Sequence, residues 1–167
     1  MPATQSENQL FDAARQGDVA TIKALTAAGT PIDSTDDKGF TPLVLATYGN
    51  HLSAAEALLD AGANPNHQDA SGNTALMGVS FKGYADMARL LLARGAQLDV
   101  QNGNGGTALM FATMFGRNEL VKLLLEAGAN QHIADLRGST ALSIAGQQGN
   151  EAAWKLLGGP PPEEQGE

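Results

Sequence analysis

Apolar residues in this chain come in short bursts, two kinds in alternation. TPLVLATY, TALMGVSF and TALMFATM form one kind, and AAEALLDAG, MARLLLARG and LVKLLLEAG the other. Each burst spans two to three helical turns, so the chain reads as tandem short helices. Thr41, Thr74, Thr107 and Thr140 open the first kind as N-caps, their hydroxyls placed to accept a free amide of the first turn. Pro42 takes the first helical position, where its missing N–H costs nothing. YGNH, FKGY, MFGR and QQGN break the chain before the second kind, which ends on a glycine suited to the left-handed cap position. Between pairs lie DDKGFTP, DASGNTA, NGNGGTA and DLRGSTA, which carry turn chemistry: Asp or Asn first, then a Gly where φ is positive.

One helix has too much apolar surface. In TALMFATMFG, Leu109, Met110, Phe111, Met114 and Phe115 spread around most of the circumference, whereas a surface helix needs a single apolar stripe. Burial between neighbouring helices accounts for part of this excess, and the rest must face something other than the core.

The bursts are periodic. Gly39, Gly72, Gly105 and Gly138 are spaced 33 apart, as are Leu43, Leu76, Leu109 and Leu142, and Gly29, Gly62, Gly95 and Gly128. A period of this size marks a stack of identical supersecondary units, because one unit cannot bury its apolar face alone while a neighbour can bury it.

The segments GFTPLVLATYGNHLSAAEALLDAGANPNHQD and GGTALMFATMFGRNELVKLLLEAGANQHIAD resemble ankyrin repeats, with their G-x-T-P-L-H-x-A helix start and L-L-x-x-G-A-(D/N)-x-N ending. The resemblance covers nearly the whole chain and is to a small ankyrin protein, of a type found in bacteria. It implies an all-α solenoid over residues 1–159, with units of about 3–35, 36–68, 69–101, 102–134 and 135–159 and an acidic, disordered tail over 160–167. In the degenerate first unit Asn8 stands where later units have the capping Thr. The family's helix-start His is replaced by Val44, Met77, Met110 and Ser143, so packing must stand in for its hydrogen bonds, and only Pro42 keeps the Thr-Pro pair.

In such a stack the first helices line a concave surface, the second form the convex back, and the turns project as fingers. The resemblance places two residues per unit on the groove at the end of each first helix: Arg15 and Gln16, Tyr48 and Gly49, Phe81 and Lys82, Met114 and Phe115, Gln147 and Gln148. The middle three pairs form an apolar ladder between polar ends, the arrangement of a binding surface. Phe40, with Asp37 and Lys38, and more weakly Leu136, mark the finger tips. Phe111 aligns with Gly78 of the preceding unit and is expected to fill the space that glycine leaves; Trp154 aligns with Val121 and Ile22 and is expected to seal the last unit.

Composition narrows the chemistry. With 43% hydrophobic and 17% charged residues, the 167-residue chain is a folding one, and its net charge of −8 disfavours nucleic acid and anionic membrane surfaces. That charge favours a basic partner surface, more so near the amino terminus, where residues 1–68 carry 8 acidic and 3 basic groups against 10 and 7 in 69–167. Without cysteine there are no disulfides, thiolate nucleophiles or cysteine metal sites. MPATQSENQL has neither a charged n-region nor an apolar run, so the expected location is cytoplasmic, or periplasmic if a leader has been removed. His51, His67 and His132 share no helix face at metal-ligand spacing, and no serine sits in a nucleophile motif. The GNGG at Gly103–Gly106 is a repeat turn without the lysine of a phosphate loop.

The expectation is therefore a non-enzymatic protein-binding module without cofactor, monomeric when free, that takes a partner protein into an apolar groove. The resemblance also implies an alternative. Some small bacterial ankyrin proteins accompany catalases and haem supply, and Tyr48 with His51 would offer the ligands for such cofactor handling.

Overall fold

The computed structural model describes residues 1–161. Helices α1 (Gln5–Gln16), α2 (Val19–Ala27), α3 (Pro42–Tyr48), α4 (Leu52–Asp60), α5 (Ala75–Lys82), α6 (Ala85–Ala93), α7 (Ala108–Met114), α8 (Asn118–Glu126), α9 (Ala141–Gln147) and α10 (Glu151–Leu156) follow one another, and the described residues include no strand. The odd-numbered helices pack successively on one another as an inner row, and the even-numbered helices form an outer row behind them.

The core runs the length of the stack between the two rows. Leu43, Leu76 and Leu109 from the inner helices and Leu58, Leu91 and Leu124 from the outer ones are all fully buried at equivalent positions. Each such leucine contributes about 1.5–3 kcal/mol of transfer free energy. Ala55, Ala88 and Val121 keep the outer row close, with Ile22 at the same position in the first unit. Thr47, Ser80 and Thr113 are buried polar side chains at another repeated position, and each hydroxyl donates to its own helix: to the carbonyl of Val44 at 2.9 Å, of Leu76 at 2.7 Å and of Leu109 at 2.8 Å. A buried hydroxyl satisfied this way carries little penalty.

Capping follows the sequence closely in units two to five. Thr41, Thr74, Thr107 and Thr140 each accept from the amide three residues on. The first unit differs from expectation. Thr4, not Asn8, caps α1, because Glu7 reaches back to the Thr4 amide and completes a capping box, so Asn8 lies one turn inside the helix.

Four fingers separate the units. In each, one side-chain oxygen at the first position accepts two backbone amides: Asp36 from Lys38 and Phe40, Asp69 from Ser71 and Asn73, Asn102 from Asn104 and Gly106, Asp135 from Arg137 and Ser139. Successive fingers are tied by their backbones, with the Gly103 amide donating to the Ser71 carbonyl and the Leu136 amide to that of Asn104, both at 3.0 Å. Gly72 shows why these turns need glycine: its φ is +82°, and a Cβ there would stand 2.9 Å from the Gly103 amide nitrogen.

At the carboxyl end Trp154 is half-buried rather than enclosed like Val121 and Ile22. Its ring lies over Gly146 and Gly159, and its Nε1–H donates to the Pro160 carbonyl at 2.7 Å. Pro160, the first residue assigned above to a disordered tail, is thus folded back on the tryptophan; residues 162–167 lie outside the described residues.

Candidate partner-binding groove

The last turns of α3, α5 and α7 present the ladder, and their side chains divide into two groups. Phe81, Met114 and Phe115 are exposed, at 37%, 41% and 42% of full accessibility. Tyr48 is half-buried and leans across the unit boundary onto Gly78, where a Cβ would meet its ring at 2.9 Å. The space at Gly78 is therefore filled by Tyr48 from the preceding unit and not by Phe111 from the following one. Burial, and secondarily the nearby Asp69 carboxylate, push the Tyr48 phenol above its ordinary range.

The exposed residues belong to one continuous patch. Phe81 and Phe115 meet edge to face with centroids 4.5 Å apart, and Phe111 lies nearly parallel to Phe115 at 6.5 Å. Such pairs add about 0.5–1.5 kcal/mol beyond area burial. Beside them a cleft of about 340 Å³ opens between the inner row and the last finger, with Met110, Phe111, Met114 and Ile144 as its floor and Leu136 and Arg137 as its outer wall. Leu136, at 78% exposure, is a large apolar side chain left in water at a finger tip. Phe111 thus faces the cleft as well as the stack, a role that its alignment with Gly78 did not reveal.

The remaining candidates sit around this patch or away from it. The Lys82 ammonium stands 5.9 Å from the centroid of the adjacent Phe81 ring. Phe40 is half-buried and packs on Tyr48 at 5.8 Å, so it supports the first part of the groove from the finger side. Asp37 and Lys38 are exposed at that finger's tip.

Two residues fix the ends of the inner helices: His51, weighed above only as a ligand, and Arg117, which the pattern did not single out. His51 Nε2 donates to the Arg15 carbonyl at 2.8 Å, and Arg117 Nε, at the corresponding position two units on, donates to the Phe81 carbonyl at 3.0 Å. Each packs where a Cβ would collide, His51 against Gly17 and Arg117 against Gly83. The corners therefore clamp one unit to the next through carbonyls that end the preceding inner helix. Of the two groups that would ligate a haem, His51 is engaged in this corner clamp and the Tyr48 ring is packed on Gly78. His67 Nε2 bonds to the Gly39 carbonyl at 3.1 Å, and no group of His, Asp and Glu is arranged to hold a metal among the described residues.

The repeat geometry is matched by the sequence at family level: the family model described as ankyrin repeats (3 copies) matches residues 10–102 and 77–163. The chain belongs to the ankyrin-repeat family. No curated protein matches it significantly. Ankyrin repeats are in general protein–protein interaction modules and typically non-catalytic, which suits a groove furnished with aromatic and thioether side chains. In this ankyrin protein no described helix is long and apolar enough to cross a membrane.

Proposed function

We propose that this ankyrin protein binds a partner protein through the carboxyl-terminal half of its groove, with Phe81, Met114 and Phe115 as anchors and the Phe111 cleft as the receiving pocket. One observation carries the reading: three large apolar side chains are exposed at the ends of neighbouring inner helices, Phe81 against Phe115 and Met114 lining a formed cleft. Monomeric proteins rarely expose contiguous apolar surface of this kind without a use for it. Burial of the three side chains contributes about 1.5–3 kcal/mol each before the costs of association. Tyr48 and Phe40 support the groove wall, and Lys82 contributes at the rim.

The test uses a photo-crosslinking phenylalanine analogue at position 114 in the groove, with position 122 on the outer helix α8 as control. A partner protein should be captured from position 114 alone and lost when Phe81→Glu is added to a still-folded chain. Equal capture from both positions would move the binding surface elsewhere.

A further inference from the structure

The charges around the groove change sign along its length. Near the amino terminus the flanking carboxylates are Asp12, Asp36, Asp37 and Asp69, against Arg15, which is engaged by Asp12 at 3.1 Å and Asp36 at 3.4 Å, and Lys38, exposed at the finger tip beside Asp37. Around the exposed patch the flanking groups are Lys82, Arg117 and Arg137. Among the described residues none of these three forms an ion pair, as is also true of Lys38 at the opposite end, whereas Arg15, Arg89 and Arg94 all do. The carboxylate nearest the patch, Asp135, shares the cleft with Arg137, but one of its oxygens is held by the amides of Arg137 and Ser139. Arg117 is pinned beside the aromatic pair by its bond to the Phe81 carbonyl. In a chain of net charge −8, three cations that form no ion pair among the described residues thus stand on both edges of one apolar patch.

We infer that the segment taken by the groove is acidic: an apolar side chain seated in the cleft between α7 and α9, flanked by carboxylates that meet Lys82 on the corner side and Arg137 on the finger side. This rests on the proposed groove reading and specifies its partner. It reverses the basic partner that bulk charge favours, because the acidic excess lies away from the apolar anchors. Electrostatic complementarity of this kind selects the partner and speeds encounter more than it adds affinity. It is strongest at low ionic strength, since exposed charges are screened beyond about 10 Å at 0.1 M salt.

The experiment is selection of a random peptide library displayed on phage against the full chain, against Phe115→Glu, and against Lys82→Glu/Arg137→Glu, since neither side chain forms a hydrogen bond or ion pair with another described residue. The expected winners carry Asp or Glu beside Phe, Leu, Ile or Met. They should bind the Lys82→Glu/Arg137→Glu protein about tenfold more weakly at low salt, and that protein should itself select Lys- and Arg-containing peptides. Neutral or basic winners that fail on Phe115→Glu would overturn the charge inference and leave the groove reading standing. No enrichment, or winners that bind Phe115→Glu as well as the parent, would overturn both.

Discussion

Gly78 shows how far a single missing methyl group reaches. Its lack of a side chain lets Tyr48 lie across the unit boundary, which half-buries the phenol and raises its pKa. In Gly78→Ala the new Cβ displaces the outer end of that ring, while the helix gains about 1 kcal/mol of propensity. The expected result is a stability change within about 1 kcal/mol of zero, with the Tyr48 phenol returning toward its ordinary pKa, as read by ultraviolet titration of phenolate. In the parent protein the raised pKa means that the fold favours the neutral phenol. Its contribution is therefore complete below the unfolded value of about 10 and lost as pH rises through the higher folded value. Urea midpoints measured across that alkaline range should fall more for the parent than for Tyr48→Phe. At the acid end, Glu7, held low by the Ser34 hydroxyl and then by Thr4, and Asp18, held low by Thr21, act in the opposite sense. Their contributions are present above the ordinary carboxylate range and fade as pH falls through their lowered values.

Fingers and caps carry the regularity of the elements. Gly72 and Gly138 both adopt the left-handed region, at φ +82° and +81°, but only Gly72 has a neighbouring finger against it; Gly138 has open space. Alanine at either site incurs a backbone penalty of about 1–2 kcal/mol, and Gly72→Ala adds a collision with main-chain atoms that cannot swing away. Chemical denaturation should therefore rank Gly72→Ala as clearly less stable than Gly138→Ala. Thr107→Ala removes the α7 cap and should cost about 1 kcal/mol by the same measurement.

These elements were legible because their causes are local: an Asx side chain folding its own turn, a hydroxyl capping its own helix, and a period that places both. The start of α1 was legible too, in the Thr4–Glu7 capping box, but matching Asn8 to the later threonines obscured it. The packing of Tyr48 on Gly78 and the opening of Phe111 to the cleft were not legible, because they depend on how side chains lean across unit boundaries. Likewise the ladder could be placed by alignment, while the clamping roles of His51 and Arg117 needed carbonyl positions that no spacing supplies.

At the scale of the molecule, units touch only their neighbours, so stability passes along the stack and its ends need closure. At the carboxyl end closure rests on Trp154, spread over Gly146 and Gly159 and bonded to Pro160. Trp154→Ala should accelerate amide hydrogen exchange first in α9 and α10, with α3 and α5 protected longest; uniform acceleration would mean that the end is coupled to the whole. The proposed groove follows the opposite logic: Phe81, Met114 and Phe115 are exposed, and their assignment as anchors requires that the fold not depend on them. Thermal unfolding of Phe81→Glu/Phe115→Glu tests that claim most directly. Loss of the aromatic pair, about 1 kcal/mol, should lower Tm by about 3 °C while partner crosslinking from position 114 disappears. A fall of more than about 10 °C, equivalent to several kcal/mol, would show that these side chains hold the monomer together and would contradict their assignment to a partner.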